Sequence, residues 1–79
     1  MMERDFGDLL ICSMRYSIRR DTGMAIIIIG HIKKYWDRMR IEDRAQLVME
    51  VRRELEFGGV PNGVWWRGFL EWAQVAISP

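Results

Sequence analysis

The chain has 79 residues, 49% of them hydrophobic and 11% aromatic, with a formal net charge of +1. This composition excludes a disordered chain and predicts one globular domain, close to the smallest size at which a single core is sufficient. The balanced charge excludes a global attraction to nucleic acid or to an anionic membrane. The single cysteine excludes an internal disulfide framework. With an acidic N-terminus and no apolar run of about 20 residues, the sequence predicts a cytoplasmic protein without a signal peptide or membrane span.

The first predicted helix extends from about Phe6 to Ile18, because apolar residues recur there every three to four positions. The turn residues that follow, ending in Gly23, predict its termination. We expect a wide apolar side formed by Phe6, Leu9, Leu10, Ile11, Ser13, Met14, Ser17 and Ile18, with Tyr16 at its edge. Asp8, Arg15 and Arg19 are predicted to lie opposite, in solvent.

The second predicted helix, Met24 to Met39, is the stretch around which the rest of the core is expected to assemble. Its four consecutive isoleucines also have the propensity for a short buried strand from Ala25 to Ile29. A helix is favoured because the apolar stripe continues in phase to Met39 and no second strand-like run is present to pair with it. The stripe comprises Ala25, Ile28, Ile29, Ile32, Tyr35, Trp36 and Met39. Ile26 and Ile27 lie outside it, so the start of this helix is apolar on nearly all sides.

The third predicted helix begins at Ile41, with acidic residues in its first turn, and ends before Gly58 and Gly59. Its expected inner face comprises Ile41, Ala45, Leu47, Val48, Val51 and Leu55, and its outer face Gln46, Glu50 and Arg53. A fourth helix, from about Val64 to Ile77, follows a turn-rich loop. These elements predict an all-α bundle of four helices joined by short turns, in one domain covering residues 1–79.

The fourth predicted helix has more apolar surface than its own chain can bury. A core stripe and a second apolar surface are expected side by side: Trp66, Phe69, Leu70, Ala73 and Ile77, and then Trp65, Trp72, Val75 and Ala76. Exposed apolar surface of this extent is typical of protein interfaces. We therefore expect a homodimer, or a complex with another protein, through helix four or the start of helix two. The predicted interface residues are Ile27, Trp65, Trp72 and Val75.

Basic residues are concentrated between Arg15 and Arg40, where seven basic residues occur with two acidic ones, although the total charge is balanced. If helices one and two lie side by side, their outer faces predict a cationic patch for phosphates or for an acidic protein surface. The residues of this patch are Arg15, Arg19, Lys34 and Arg38. Ordinary solvated helix faces are the alternative.

No arrangement typical of a catalytic or metal site is present in the sequence. His31 has no second histidine, cysteine or carboxylate pair to complete a site, and a surface position is expected for it. Cys12 lacks a neighbouring base and is expected to be a small packing residue. A helix-turn-helix is disfavoured because acidic residues of the third helix would repel phosphates; they are Glu50, Glu54 and Glu56. We expect a non-enzymatic protein without a cofactor or metal.

Several short motifs resemble those of small uncharacterised helical proteins encoded by phages and prophages. They are Asp8-Leu9-Leu10-Ile11, Arg15-Tyr16, Arg19-Arg20-Asp21-Thr22, Lys34-Tyr35-Trp36 and Leu70-Glu71-Trp72. Many phage proteins of this length, anti-CRISPR proteins among them, act by covering a surface of a larger host complex. The resemblance implies a non-catalytic accessory protein that binds a host protein or ribonucleoprotein complex in the bacterial cytoplasm, such as an inhibitor of CRISPR-Cas. A small nucleic-acid-binding protein that uses the basic patch is the alternative.

Overall fold

Four α-helices make up the part of the chain that the structure describes, which is residues 2–20 and 23–77. The structure is a computed structural model, and its description of side chains covers residues 6–20 and 23–76. The helices are α1 (Met2–Ile18), α2 (Met24–Lys34), α3 (Ile41–Phe57) and α4 (Gly63–Ile77). No strand occurs within those described ranges, and the isoleucine run lies in α2. The predicted all-α fold is confirmed, and the alternative of a short strand is wrong.

The helices enclose one core, in which α1 and α4 each pack against both α2 and α3. The predicted stripe of the second segment supplies its centre, since Ala25, Ile29, Ile32, Trp36 and Met39 are buried. On the α4 side the core is aromatic. The ring of Trp36 lies edge-on to Phe69 and Trp72, with centroid distances of 6.2 and 5.2 Å. Edge-to-face contacts of this kind add to the free energy gained by burial.

Helix α1 is rotated relative to the prediction. Leu9, expected in the core, is 60% exposed, whereas Leu10, Met14 and Ile18 are buried. The reason is that α1 contacts α2 on one side and α3 on the other. Its buried arc is therefore centred near Met14, which lies roughly 140° around the helix from Leu9 at about 100° per residue.

The first turn of α3 also departs from the prediction. Ile41 is 75% exposed and Ala45 is exposed, although both were expected on the inner face. The inward position of this turn belongs to Asp43, which is only 3% exposed and lies against Gly7 of α1. One turn later the prediction is confirmed, because Leu47, Val48 and Val51 are buried.

Helix α2 ends earlier than predicted. Residues Trp36–Arg38 form a 3-10 turn, and Met39 is extended with φ −81° and ψ 147°. The backbone N–H groups of Arg38 and Met39 donate to the carbonyls of Tyr35 and Trp36, at 3.0 and 3.1 Å. The tighter turn keeps the side chains of Trp36 and Met39 buried while the chain turns into α3. The end of α2 is therefore determined by tertiary packing, and it cannot be predicted from the periodicity of apolar residues alone.

The glycine pair after α3 terminates the helix as predicted. Gly58 and Gly59 have φ values of +92° and +76°, a region that side chains with a Cβ rarely adopt. Helix α4 then begins one residue before the predicted start, where the N–H of Trp66 donates to the carbonyl of Asn62 at 3.2 Å.

Candidate protein-binding surfaces

A groove of about 470 Å³ lies between α2 and α4. Both helices contribute apolar walls, and the charged residue in its lining is Lys33. This α2–α4 groove is lined by Ile26, Ile29, Gly30, Lys33, Val64, Trp65, Gly68 and Phe69. Its volume and lining are those of a typical binding pocket.

The α2–α4 groove exists because each helix carries a glycine at its wall. A Cβ added at Gly30 or at Gly68 would meet nothing within 4 Å. Packing within the chain therefore does not require either glycine. A glycine inside a helix costs about 0.5–1 kcal/mol relative to alanine. Both Gly30 and Gly68 reduce the stability of their helices in this way, and both leave open space next to the helix backbone.

Beside the groove, α4 exposes several apolar side chains. Val64 and Val75 are 79% and 78% exposed, and Trp65 is 51% exposed. Together with Gly68, these residues form what we call the α4 stripe. Trp65 and Val75 are two of the predicted interface residues, and the structure leaves both accessible.

Trp72, another predicted interface residue, is half-buried and belongs partly to the core. Its ring stacks on Phe69 at a centroid distance of 6.1 Å and meets Trp36 edge-on. The ammonium of Lys33 lies 5.5 Å from the centroid of the same ring, a favourable cation–π distance. Trp72 therefore links the aromatic core to the charged end of the α2–α4 groove.

Ile26 and Ile27 lie on different sides of α2. Ile26 lines the α2–α4 groove, whereas Ile27, the remaining predicted interface residue, lines a second groove of about 430 Å³ between α1 and α2. This α1–α2 groove is lined by Cys12, Ser13, Tyr16, Met24, Ile27 and Ile28. Cys12 is exposed there, which contradicts the prediction that it is a small packing residue. It lies on the side of α1 turned away from the core.

The structure divides the four predicted patch residues between two places. Arg15 donates from two guanidinium nitrogens to the carboxylate of Glu50 on α3, both at 2.7 Å. Arg19 donates to the carboxylate of Glu54 at 2.6 Å and to the carbonyl of Gly58. Glu50, expected on the outer face of α3, instead helps to join α3 to α1. These two arginines are neutralised by carboxylates, which leaves little net positive charge at this place.

Lys34 and Arg38 lie at the other end of α1, beside aromatic rings. The Arg38 guanidinium lies 5.6 Å from the centroid of Phe6 and 5.9 Å from that of Tyr35, and the Lys34 ammonium lies 5.3 Å from the latter. Phe6 and Arg15 are nine residues apart on α1, about 13 Å at a rise of about 1.5 Å per residue. The four cations therefore do not form a single cluster.

The ion pair between α1 and α3 makes the stability of the fold depend on pH. The hydrogen bonds from Arg15 are the main reason that the pKa of Glu50 lies below its ordinary value of 4.5. Burial of the carboxylate acts in the opposite direction and raises this pKa, whereas the hydrogen bond from Gln46 lowers it further. A lowered carboxylate pKa stabilises the native state at every pH above the unfolded value, and this contribution is lost as the pH falls through the folded value.

Glu50→Gln is therefore expected to lower the unfolding temperature at neutral pH and to leave it unchanged in strong acid, where the wild-type carboxyl is also neutral. Thermal denaturation followed by circular dichroism at both pH values measures this difference. Glu56→Gln, on an exposed position of the same helix, is the control and should behave as the wild type. An equal deficit of Glu50→Gln at both pH values would contradict the assignment.

A buried carboxylate at the contact of α1 with α3 has no signature in the sequence. Asp43 accepts hydrogen bonds from Nε and Nη2 of Arg40 at 3.1 and 3.2 Å, and this contact raises the pKa of Arg40. A Cβ at Gly7 would lie 2.8 Å from Cγ of Asp43. Gly7 is thus the glycine that the helix contact requires, in contrast to Gly30 and Gly68.

Comparison with protein-family models, with curated proteins and with solved structures found no match to this chain. Among the described residues, no helix is long and apolar enough to pass through a bilayer. The same residues contain no group of three or more histidine, cysteine or acidic side chains arranged to hold a metal ion. His31 is exposed, as expected.

Proposed function

We propose that this protein is a non-catalytic binding protein that holds a segment of a partner protein in the α2–α4 groove. The observation that supports this most strongly is the pair of glycines, Gly30 and Gly68, with open space at their Cβ positions. A helix or a large side chain of a partner can approach the two helix backbones closely at such positions. Trp65 stands half-exposed beside them, and tryptophan is among the residues most enriched at the energetic centres of interfaces.

The charge of the groove favours one kind of partner segment. Lys33 lines it, and no acidic side chain is among its lining residues. An apolar segment in the groove would pack against its hydrophobic walls, and a carboxylate on that segment would pair with the ammonium of Lys33. We therefore propose an amphipathic helix with an acidic residue at one end as the bound element.

The role that we propose follows the sequence resemblance. The protein acts in the cytoplasm of a host bacterium, as an accessory factor of a phage or other mobile element, on a host protein or ribonucleoprotein complex. Occlusion of a defence complex such as CRISPR-Cas requires a surface and no chemical step. The α2–α4 groove and the α4 stripe offer such a surface, and the resemblance of the short motifs to those of phage-encoded helical proteins favours the setting.

Gly68→Leu is expected to abolish partner binding without destabilising the fold. Leucine is a better helix former than glycine, and at this position its side chain enters the open groove. Affinity capture from host lysate, with the enriched proteins quantified for wild type and variant in parallel, measures the effect. Gly23→Ala is the matched control, because it adds a methyl group to open space outside the α2–α4 groove and should leave capture intact.

The biological role has its own readout. Expression of the wild-type chain should raise the plating efficiency of a phage on bacteria that carry the targeted defence system, and Gly68→Leu should not. Equal capture by wild type and Gly68→Leu, or the absence of any protein enriched by the wild type, would contradict the proposed binding function. Capture without an effect on plating would contradict only the role in defence inhibition.

A further inference from the structure

The α1–α2 groove lies on the other side of α2 from the proposed partner site and has a different chemistry. None of the residues that line it is charged. Tyr16 and Ile27 of its lining are 54% and 58% exposed, and Leu9, one helical turn before Cys12 and Ser13 on α1, is 60% exposed. We call these three residues together with the groove the α1–α2 surface. Large exposed apolar side chains that line a groove on so small a domain favour the binding of another molecule.

The exposed residues of α1 have the symmetry that a two-fold contact needs. Leu9 and Tyr16 are seven residues apart, which is about two helical turns, and the small residues Cys12 and Ser13 lie midway between them. The stripe therefore alternates large, small and large when followed in either direction. In a contact with two-fold symmetry, if residue i of one copy contacts residue j of the other, then residue j of the first copy also contacts residue i of the second. Leu9 and Tyr16 can form such a reciprocal pair.

We propose that a second copy of this chain covers the α1–α2 surface, with the two α1 helices antiparallel and the axis passing between residues 12 and 13. In that arrangement each Leu9 packs against Tyr16 of the other copy, and Cys12 and Ser13 allow the helices to approach closely. Ile27 adds contacts from α2. This inference goes beyond the proposed partner binding, because it concerns the opposite side of α2.

The charge of Arg20 favours the antiparallel arrangement. The guanidinium of Arg20 lies 3.7 Å from the centroid of the Tyr16 ring, at one end of the stripe. A parallel pair brings the two Arg20 side chains together, whereas an antiparallel pair places them at opposite ends of the contact, each beside its own Tyr16. The uncharged lining also means that no charge meets its own symmetry mate at the axis.

The exposed area is close to what a stable dimer needs. Leu9, Tyr16, Met24 and Ile27 are between 40% and 60% exposed. Taking about 200 Å² for a large side chain, their exposed parts amount to roughly 400 Å². Apolar atoms make up somewhat more than half of the area of a typical interface. An apolar area of roughly 400 Å² therefore corresponds to a total buried area of about 700 Å² per copy, compared with about 800 Å² in a typical complex.

Adjacent isoleucines provide the test. Ile27→Lys is expected to convert a dimer into a monomer in sedimentation velocity experiments, because it places an unpaired ammonium in the interface. Ile26→Lys puts the same side chain at the next residue, on the α4 side, and should leave the dimer intact. Both positions are about half exposed, so both variants should retain the helical circular dichroism signal of the wild type.

Cys12 supplies a second readout on the unmodified chain. Because it lies beside the proposed axis and is the single cysteine, a short bis-maleimide should link two wild-type chains through it. The yield should fall about tenfold or more in Ile27→Lys, as expected for the loss of at least 1.4 kcal/mol of association free energy, and persist in Ile26→Lys.

Three results would overturn the proposal. They are a wild-type chain that sediments as a monomer at several hundred micromolar, a dimer that Ile26→Lys breaks and Ile27→Lys does not, and a dimer that bis-maleimide fails to link. The second result would place the second copy in the α2–α4 groove. Partner capture and its loss in Gly68→Leu are measured independently, so failure of the dimer and failure of the proposed function are distinguishable.

Discussion

Gly7→Ala is expected to destabilise the protein by about 2 kcal/mol, which combines overpacking of about 1–3 kcal/mol with displacement of a buried charge. The added Cβ would lie 2.8 Å from Cγ of Asp43 and 3.1 Å from its Cβ, so movement of the carboxylate tip alone does not relieve the clash. Asp43 is 3% exposed and is held by Arg40. At this chain length, we expect the thermal midpoint to fall by about 8–16 °C.

Two controls separate this clash from the general effect of the substitution. Gly30→Ala makes the same change in open space and should stabilise the protein by about 0.5–1 kcal/mol. The double variant Gly7→Ala/Asp43→Ala removes the clashing carboxylate, so its loss should be smaller than the sum of the two single losses. Additive losses in this cycle, or a stabilised Gly7→Ala, would show that α1 and α3 are not in contact at these residues.

Trp66→Ala is expected to cost about 3–5 kcal/mol, which is a large fraction of the total stability of a domain of this size. Its side chain is fully buried and lies edge-on to Phe69 at a centroid distance of 6.2 Å. Removal of the indole leaves a large cavity in the core beside Phe69, near the start of α4. Chemical denaturation followed by circular dichroism measures the loss.

The neighbouring tryptophan is the matched control for this experiment. Trp65→Ala removes the same side chain one residue earlier, at a position that is 51% exposed. We expect a loss of less than about 1 kcal/mol in stability together with weaker capture of the proposed partner. Equal destabilisation by the two substitutions would mean that α4 is rotated from the orientation described above.

Periodicity in the sequence was sufficient to predict the helices and most of the core. The stripe through Ala25, Ile29 and Ile32 repeats at helical spacing, and the positive φ of Gly58 is what a helix-ending glycine adopts. The pattern also predicted that Trp65 and Val75 would lie outside the core.

The errors have a common physical origin in contacts with a second neighbour. Leu9 is exposed because α1 packs between α2 and α3, and a helical wheel does not report where the two contacts are centred. Arg15 and Arg19 are on the expected outer side of the apolar arc, but acidic residues of α3 lie opposite them. The pairing of Gly7 with Asp43 depends on the approach of two helices, for which one sequence contains no signal.

The contacts of Arg19 with the end of α3 have a consequence for the way the protein opens. Helix ends ordinarily fray independently of the rest of a fold, because few interactions hold them. Here the side chain from α1 bonds to the carboxylate of Glu54, to the carbonyl of Gly58, and lies 5.3 Å from the centroid of the Phe57 ring. We therefore expect the last turn of α3 to loosen together with the C-terminal end of α1, as one cooperative unit of local unfolding.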